Sequence, residues 1–412
     1  MAAVRLTAGW VFPIDQQPIR NGAVLTGPGG RLVEVGPDAT VARPDGVPAR
    51  AFPGAAIVPG LVNVHTHLEL TAFAGQVDHD DFAAWIRRLR ELKDQCEPDA
   101  YLAAARRGLA DCWAAGVTTI ADTGDRGVVI RALAECGGSG VVYQEVFGPH
   151  PNQARESLDG LRDRVAELRR FESARLRIGV SPHAPYTVSG PLYRAVAELA
   201  RSEGLPLAVH LAESRAETQL LGAAEGPFAD AWQRRGIPLP SLPGRSPVAW
   251  LDQHDVLSDR TLCIHVVQVD AEDIARLAAA GVAIAHCPLS NRRHGHGDAP
   301  LGSLLAAGLR VGVGTDSVVS VGRLDLLAEA RAARVLAGLS AERALALVTL
   351  EAARALGMED EVGSLTPGKW GDIAVVRLRN AHPTAAELLD TGAEDIVATY
   401  LGGRLVFGGH PA

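Results

Sequence analysis

At 412 residues the chain can hold one large domain and a smaller one, and 47% hydrophobic with 21% charged residues describes a globular rather than a disordered protein. A formal charge of −8 argues against a basic nucleic-acid-binding or anionic-membrane-binding surface. Five scattered cysteines without a C-x-x-C read as reduced thiols in a cytoplasmic protein; MAAVRLTAGWVF lacks the form of a signal peptide, and no apolar run reaches the roughly 18 residues of a membrane span.

Residues 1–57 read as short strands: RLTAGWVF, GAVLTG, RLVEVG and RAFPGAAIV, period-2 segments punctuated by Gly and Pro. From residue 58 the pattern changes. Eight short apolar runs follow: 60–65, 117–122, 140–147, 176–181, 206–211, 261–266, 281–286 and 309–316. Helix-like segments such as DFAAWIRRLRELKD, SLDGLRDRVAELRRF, PLYRAVAELARSEG and DAEDIARLAAAG separate them. Near-continuous apolar strands alternating with helices predict a parallel sheet covered on its faces, and eight such units predict a (β/α)8 barrel over residues 58–362. An open doubly wound sheet is the alternative, but no G-x-G-x-x-G joins a strand to a helix. Strands return in residues 363–412, where GDIAVVRL precedes EDIVATYLGGRLVFGG and its Gly-Gly hairpin signal. The two β-rich ends are expected to form one small composite domain, a β-sandwich, beside the barrel.

Barrels of this kind carry their chemistry at the C-terminal ends of the strands. VPGLVNVHTHLEL ends the first strand with His65 and His67, which alternation points the same way, with Thr66 opposite. The second half of the barrel continues the pattern. Strand 4 leads to His183, strand 5 ends in His210 with Glu213 three residues on, strand 6 ends in His265, strand 7 in His286, and strand 8 in Asp316. A single strand-end histidine is usually a packed, hydrogen-bonded residue. Several strands delivering imidazoles and a carboxylate to one rim instead suit a divalent ion with an open coordination position.

With these motifs the chain resembles the amidohydrolase superfamily over essentially its whole length. The H-x-H of strand 1, the single histidines of strands 5 and 6, and the aspartate of strand 8 match that frame; VGSLTPGKWGDIAVV resembles the return to its small β domain. HLAES, HCPLSN and GTDS resemble the branch of nucleoside deaminases and chlorotriazine hydrolases. HTHLEL, DFAAWIRRL and SPHAPYTVS are most similar to aminodeoxyfutalosine deaminase-like members, which act in a route to menaquinone.

The resemblance implies one divalent ion, Zn²⁺ or alternatively Fe²⁺, held by His65, His67, His210 and Asp316. Glu213 would carry a proton from the activated water to a ring nitrogen, Asp316 would pass the second proton to departing ammonia, and His265 would orient the attacking group. A lysine-bridged second metal is excluded, because the two lysines, Lys93 and Lys369, lie off the barrel strands. Glu145 is read as a substrate-hydroxyl acceptor, with metal ligation and a structural hydrogen bond as alternatives. Glu69, Trp85, His183, His286 and Asn291 are the further candidate substrate contacts; a rim salt bridge for Glu69 and a structural role for His286 are the alternatives, and for Trp85 packing in the core is the plainer reading.

In SNRRHGHGDAP (290–300), Arg292 and Arg293 have the fork to bind a carboxylate, such as the benzoate of aminodeoxyfutalosine, though a solvated loop is the plainer reading. The second H-x-H, His294 and His296, lies in a glycine-rich loop without fixed geometry for a second metal. The expected activity is therefore hydrolytic deamination of an aminopurine nucleoside, aminodeoxyfutalosine first. S-adenosylhomocysteine/methylthioadenosine or guanine deamination, or hydrolysis of another C–N or C–halogen bond, are the alternatives. A non-catalytic metal-binding scaffold is the reading from another class, and Glu213 argues against it. The partner is a small-molecule substrate, with no nucleic acid and no membrane, and a homodimer is compatible with the resemblance.

Overall fold

The structure is a computed structural model, and it describes residues 3–78, 81–240, 245–380 and 383–408. The first two and last four residues of the β-rich segments predicted at the two ends lie outside the described residues. Four strands open the chain: β1 (Val4–Val11), β2 (Ile19–Thr26), β3 (Leu32–Pro37) and β4 (Ala49–Pro59). Eight follow with helices between them: β5 (Leu61–Thr66), β6 (Val117–Gly124), β7 (Gly140–Val146), β8 (Leu176–Pro182), β9 (Leu207–Leu211), β10 (Thr261–His265), β11 (Ala283–His286) and β12 (Arg310–Val313). The chain returns through β13 (Ile373–Arg377), β14 (Ile396–Leu401) and β15 (Arg404–Phe407).

β5 to β12 form one parallel ladder in sequence order. It closes at the rim, where Thr66 bridges Asp316 in parallel and the Asp316 N–H donates to the His65 carbonyl at 3.0 Å. The eight apolar runs of the sequence are the eight barrel strands. Gly314 is required at the closure, since a Cβ there would lie 2.7 Å from the His65 nitrogen. Leu133, Leu168, Leu192 and Leu277 of the surrounding helices pack with outward strand residues such as Ile178, Val209 and Val311 in one buried core.

The two ends of the chain share a seven-stranded sheet, ordered β15-β14-β13-β4-β1-β2-β3. β13 pairs antiparallel with β4, so the C-terminal segment completes a sheet that the N-terminal one begins. The Gly-Gly signal is the β14–β15 turn, where Gly402 and Gly403 both hold positive φ. Leu6, Val24, Ile57, Ile373 and Val375 are buried in this sheet's own core, while Ala56, Val58, Ala374 and Val376 join the core of the barrel. The sheet therefore packs against the barrel through one side. No helix among the described residues is long and apolar enough to cross a membrane.

Candidate metal centre and cavity

The ends of β5, β9, β10 and β12 converge on one point. His65 and His67 Nε2 each lie 3.6 Å from Asp316 Oδ1, and the His210 and His67 Nε2 atoms are 3.3 Å apart. The His265 ring lies 5.7 Å from that of His65 and 5.6 Å from that of His210, centroid to centroid.

Local structure fixes each group. Asp122, at the end of β6, accepts from Thr66 Oγ1 at 2.8 Å and from the Leu68 N–H at 2.7 Å, clamping the backbone on both sides of His67. His67 Nδ1 lies 2.8 Å from the Thr123 carbonyl, and His210 Nδ1 lies 3.1 Å from the His183 carbonyl. A carbonyl only accepts, so each Nδ1 carries the hydrogen and each Nε2 a lone pair. Asp316 Oδ2 accepts from Ser290 Oγ at 2.6 Å, and Oδ1 from the Ser317 N–H at 2.6 Å. Ala212, His265, Val266 and Asp316 hold positive φ, which turns the strand ends into the rim at the expense of local strain.

This arrangement suits a cation. Two lone pairs facing each other at 3.3 Å repel, and the buried His65 Nε2 has no hydrogen-bond partner. Burial, with His65 beside it, pushes His67 down to about 3, and burial likewise depresses His65 and His210. The imidazoles are thus neutral, as metal ligands must be. Burial raises the Asp316 carboxyl, but the His65 and His67 imidazoles beside it, each 3.6 Å away, more than offset it, leaving Asp316 well below the usual range and ionised.

Glu213 stands beside this point without joining it. Its backbone is held by a capping arrangement in which Ser214 accepts the Glu217 N–H and the Glu217 carboxyl accepts the N–H groups of Ala212 and Glu213. Its Oε1 lies 3.6 Å from His265 Nε2 and 3.3 Å from His296 Nε2. Burial opposes ionisation, yet His265 and then His296 hold the carboxyl down to about 2.

Above these groups opens a cavity of about 370 Å³. Glu69, Trp85, Glu145 and His183 line it, with His67, His210, Glu213, His265 and Asp316 at its floor. His183 is fixed by Thr187 Oγ1 at 2.8 Å. Glu145 is buried with Oε1 unpartnered, and it groups closely enough with His183 and His210 to share an ion with them. Glu69 meets Lys93 at 3.6 Å, and Lys93 Nζ lies 2.9 Å from Asp125. Burial raises Glu69 to about 7, against the pull of Lys93.

Two candidate contacts are not brought to the cavity wall. Asn291 is buried behind His265, its Oδ1 accepting from Nδ1 at 2.9 Å, so it orients that ring. His286 is fully buried, and its two ring nitrogens have no partner. The loop arginines also point elsewhere: Arg292 pairs with Asp298 at 2.8 Å and Arg293 with Asp78 at 2.7 Å, on the surface.

Sequence reasoning missed the part played by His294 and His296. Both are buried; Trp85 packs edge-on against His294 at 4.7 Å, and Phe82 against His296 at 4.5 Å. Asp122 and Thr123 were also missed, although the polar end of VTTIADT at the same rim was a usable signal.

The sequence profile of the Amidohydrolase family matches residues 56–406. The chain belongs to this amidohydrolase family, and it is an enzyme of the carbon–nitrogen hydrolase class. Among its relatives, a 5-methylthioadenosine/S-adenosylhomocysteine deaminase of Symbiobacterium thermophilum is 30% identical, covering 99% of this chain and 94% of the relative. An aminodeoxyfutalosine deaminase of Deinococcus radiodurans is 34% identical over 75% of this chain and 76% of its own length. Among solved structures, a zinc-bound adenosine deaminase from Xanthomonas campestris superposes with a TM-score of 0.82 at 26% identity, covering 98% of this chain and 92% of that one. The aminofutalosine deaminase of Helicobacter pylori, at TM-score 0.84 and 23% identity over 98% of this chain and all of that one, shares the fold.

Proposed function

We propose that this amidohydrolase deaminates an adenine nucleoside, and that aminodeoxyfutalosine is the first substrate to test. The observation that carries the reading is the unliganded carboxylate of Glu213, held ionised at the floor of the cavity beside a four-residue metal set. His65, His67, His210 and Asp316 would hold one divalent ion, with zinc supported by the zinc-bound adenosine deaminase. Bound there, such an ion lowers the pKa of a water toward neutrality.

The residues divide the remaining work. Glu213 takes a proton from the attacking water and delivers it to the purine nitrogen beside the amino-bearing carbon. His265, fixed by Asn291, keeps Glu213 and the attacking group in register. Asp316, already hydrogen-bonded by Ser290, receives the second proton for departing ammonia. Glu145, with a free buried oxygen, and Glu69 accept from sugar hydroxyls, and His183 stands against the sugar.

The deaminase relatives at 30% and 34% identity support the nucleoside class. The test is ammonia release by metal-loaded protein from aminodeoxyfutalosine, adenosine, S-adenosylhomocysteine, methylthioadenosine, guanine and an amino-triazine. Turnover of aminodeoxyfutalosine well above the rest is expected. Preference for another aminopurine would reassign the substrate, and no ammonia from any would reject deamination.

A further inference from the structure

One buried carboxyl behind the metal set has no part in the chemistry described so far. Glu329 is 1% exposed and stands on the helix Leu326–Ala337, after the last barrel strand. Leu326, Leu327, Ala330 and Ala333 of that helix are packed in the barrel core, and Arg331 Nη1 ties it to the Leu389 carbonyl at 2.9 Å. Asp325 caps its first turn by accepting the Ala328 N–H at 3.1 Å. Glu329 is thus carried on a rigid mount.

Its Oε2 accepts the Leu289 N–H at 3.0 Å. That N–H lies in the first turn of the helix Pro288–Arg293, where a cap is missing. Cys287, at the capping position, accepts nothing with its side chain, and Pro288 has no N–H. Glu329 supplies the missing acceptor from a neighbouring helix. A six-residue helix is too short to hold itself in water, so its position depends on what it is tied to. Its next two residues reach the site. Ser290 Oγ donates to Asp316 Oδ2 at 2.6 Å, and Asn291 Oδ1 accepts from His265 Nδ1 at 2.9 Å. The Asn291 carbonyl also accepts the His296 N–H at 2.9 Å, and His296 stands 3.3 Å from Glu213. A shift at Leu289 is therefore passed to Asp316, to His265 and to the neighbour of Glu213 together.

We propose that Glu329 is a positioning residue: through the Leu289 N–H it fixes the helix Pro288–Arg293, and so sets Asp316 and His265 for metal binding and turnover. This rests on the metal set and the deamination proposed above. A displacement of about 1 Å at a reacting group costs about 10²-fold in rate, so a modest slip of this helix is enough to matter. Burial, with Asp316 and Asp325 nearby, pushes the Glu329 carboxyl well above its usual range, against the pull of the Leu289 bond. Glutamine therefore mimics it in shape and charge and keeps the acceptor oxygen. Alanine removes the acceptor and leaves a buried N–H unpaired.

In the test, metal-free wild type, E329Q and E329A are titrated with Co²⁺ against a chelator, and the visible bands of the bound ion report its ligand geometry. E329A is expected to bind Co²⁺ about tenfold or more weakly, with altered bands, and E329Q to restore both toward wild type. At saturating metal, kcat for ammonia release should fall about tenfold in E329A with KM within about twofold, and E329Q should recover most of it. In an S290A background E329A should weaken Co²⁺ binding markedly less, because the path to Asp316 is already cut. If E329A does not fold, E329D, which draws the carboxyl back from Leu289 by one methylene, is compared with E329Q in the same way. A lower melting temperature with affinity, bands and kcat all at wild-type values, or full additivity with S290A, overturns the proposal. Altered bands and affinity in E329A, while no compound of the panel is deaminated by wild type, keep the positioning role and reject the reaction. Ammonia release by wild type with no response to E329A does the reverse.

Discussion

The chain contains two H-x-H pairs, and they differ in what their backbones do. His65 and His67 sit where a barrel strand ends, clamped through Thr66 and Leu68 by Asp122, with ring planes at 83° and both Nε2 atoms turned to Asp316. His294 and His296 follow the short helix Pro288–Arg293, with Gly295 and Gly297 at positive φ and rings nearly parallel, 27° apart. The second pair is pinned instead by hydrogen bonds from the His296 N–H to the Asn291 carbonyl at 2.9 Å and from Gln268 Nε2 to the His296 carbonyl at 2.6 Å. One pair is shaped to meet a cation. The other closes over the carboxylate beside it. The same three-letter pattern thus has two uses, decided by whether a strand or a turn carries it.

Substitution can break or sharpen that contrast. The largest effect is expected from His67→Asn, which removes an Nε2 lone pair from the metal set: metal content by elemental analysis should fall severely, and kcat by about 10³-fold or more. His294→Asn in parallel should retain full metal, and equal metal loss from both would erase the distinction. Next, Glu213→Gln should keep the metal and lower kcat by about 10²–10⁴-fold, the range of general acid–base catalysis; retained turnover would remove Glu213 from the proton path.

His296→Ala comes third. It takes away the 3.3 Å neighbour of Glu213, and kcat is expected to fall by about tenfold with metal stoichiometry unchanged, as for other groups that orient a reacting side chain. An unchanged kcat would make the second pair mere wall. The smallest effect on turnover belongs to Thr66→Val, which strips one donor from buried Asp122 and should lower stability by about 1–3 kcal/mol in denaturant unfolding.

Much of this was legible in advance, for a physical reason. Barrel strands are buried on both faces, so their apolar runs are continuous, and a histidine or aspartate that ends one stands out; His65, His67, His210, His265 and Asp316 were read this way. Glu213 followed because it lies three residues from a strand-end histidine on a short turn. Residues on longer excursions were not legible. Asn291 looked like a cavity residue because it follows a strand, but the helix that begins at Pro288 turns it behind His265. Arg292 and Arg293 looked available for a ligand, but sequence alone does not show that Asp298 and Asp78 come within reach.

The closure of the barrel has a mechanical consequence. β5 and β12 are the two free edges of the eight-stranded ladder, and a single rim bridge joins them. Below it, Asn63 does the work of missing backbone pairs: its side chain donates to Thr315 Oγ1 at 2.9 Å and accepts the Thr315 N–H at 3.1 Å. His65 and His67 stand on one edge and Asp316 on the other, so an ion bound by all three is a rivet through this seam. Its removal should loosen the join between first and last strands before it disturbs β7 or β8, and backbone amide exchange at Gly314 and Asp316 should then outpace that at Val142 and Ile178.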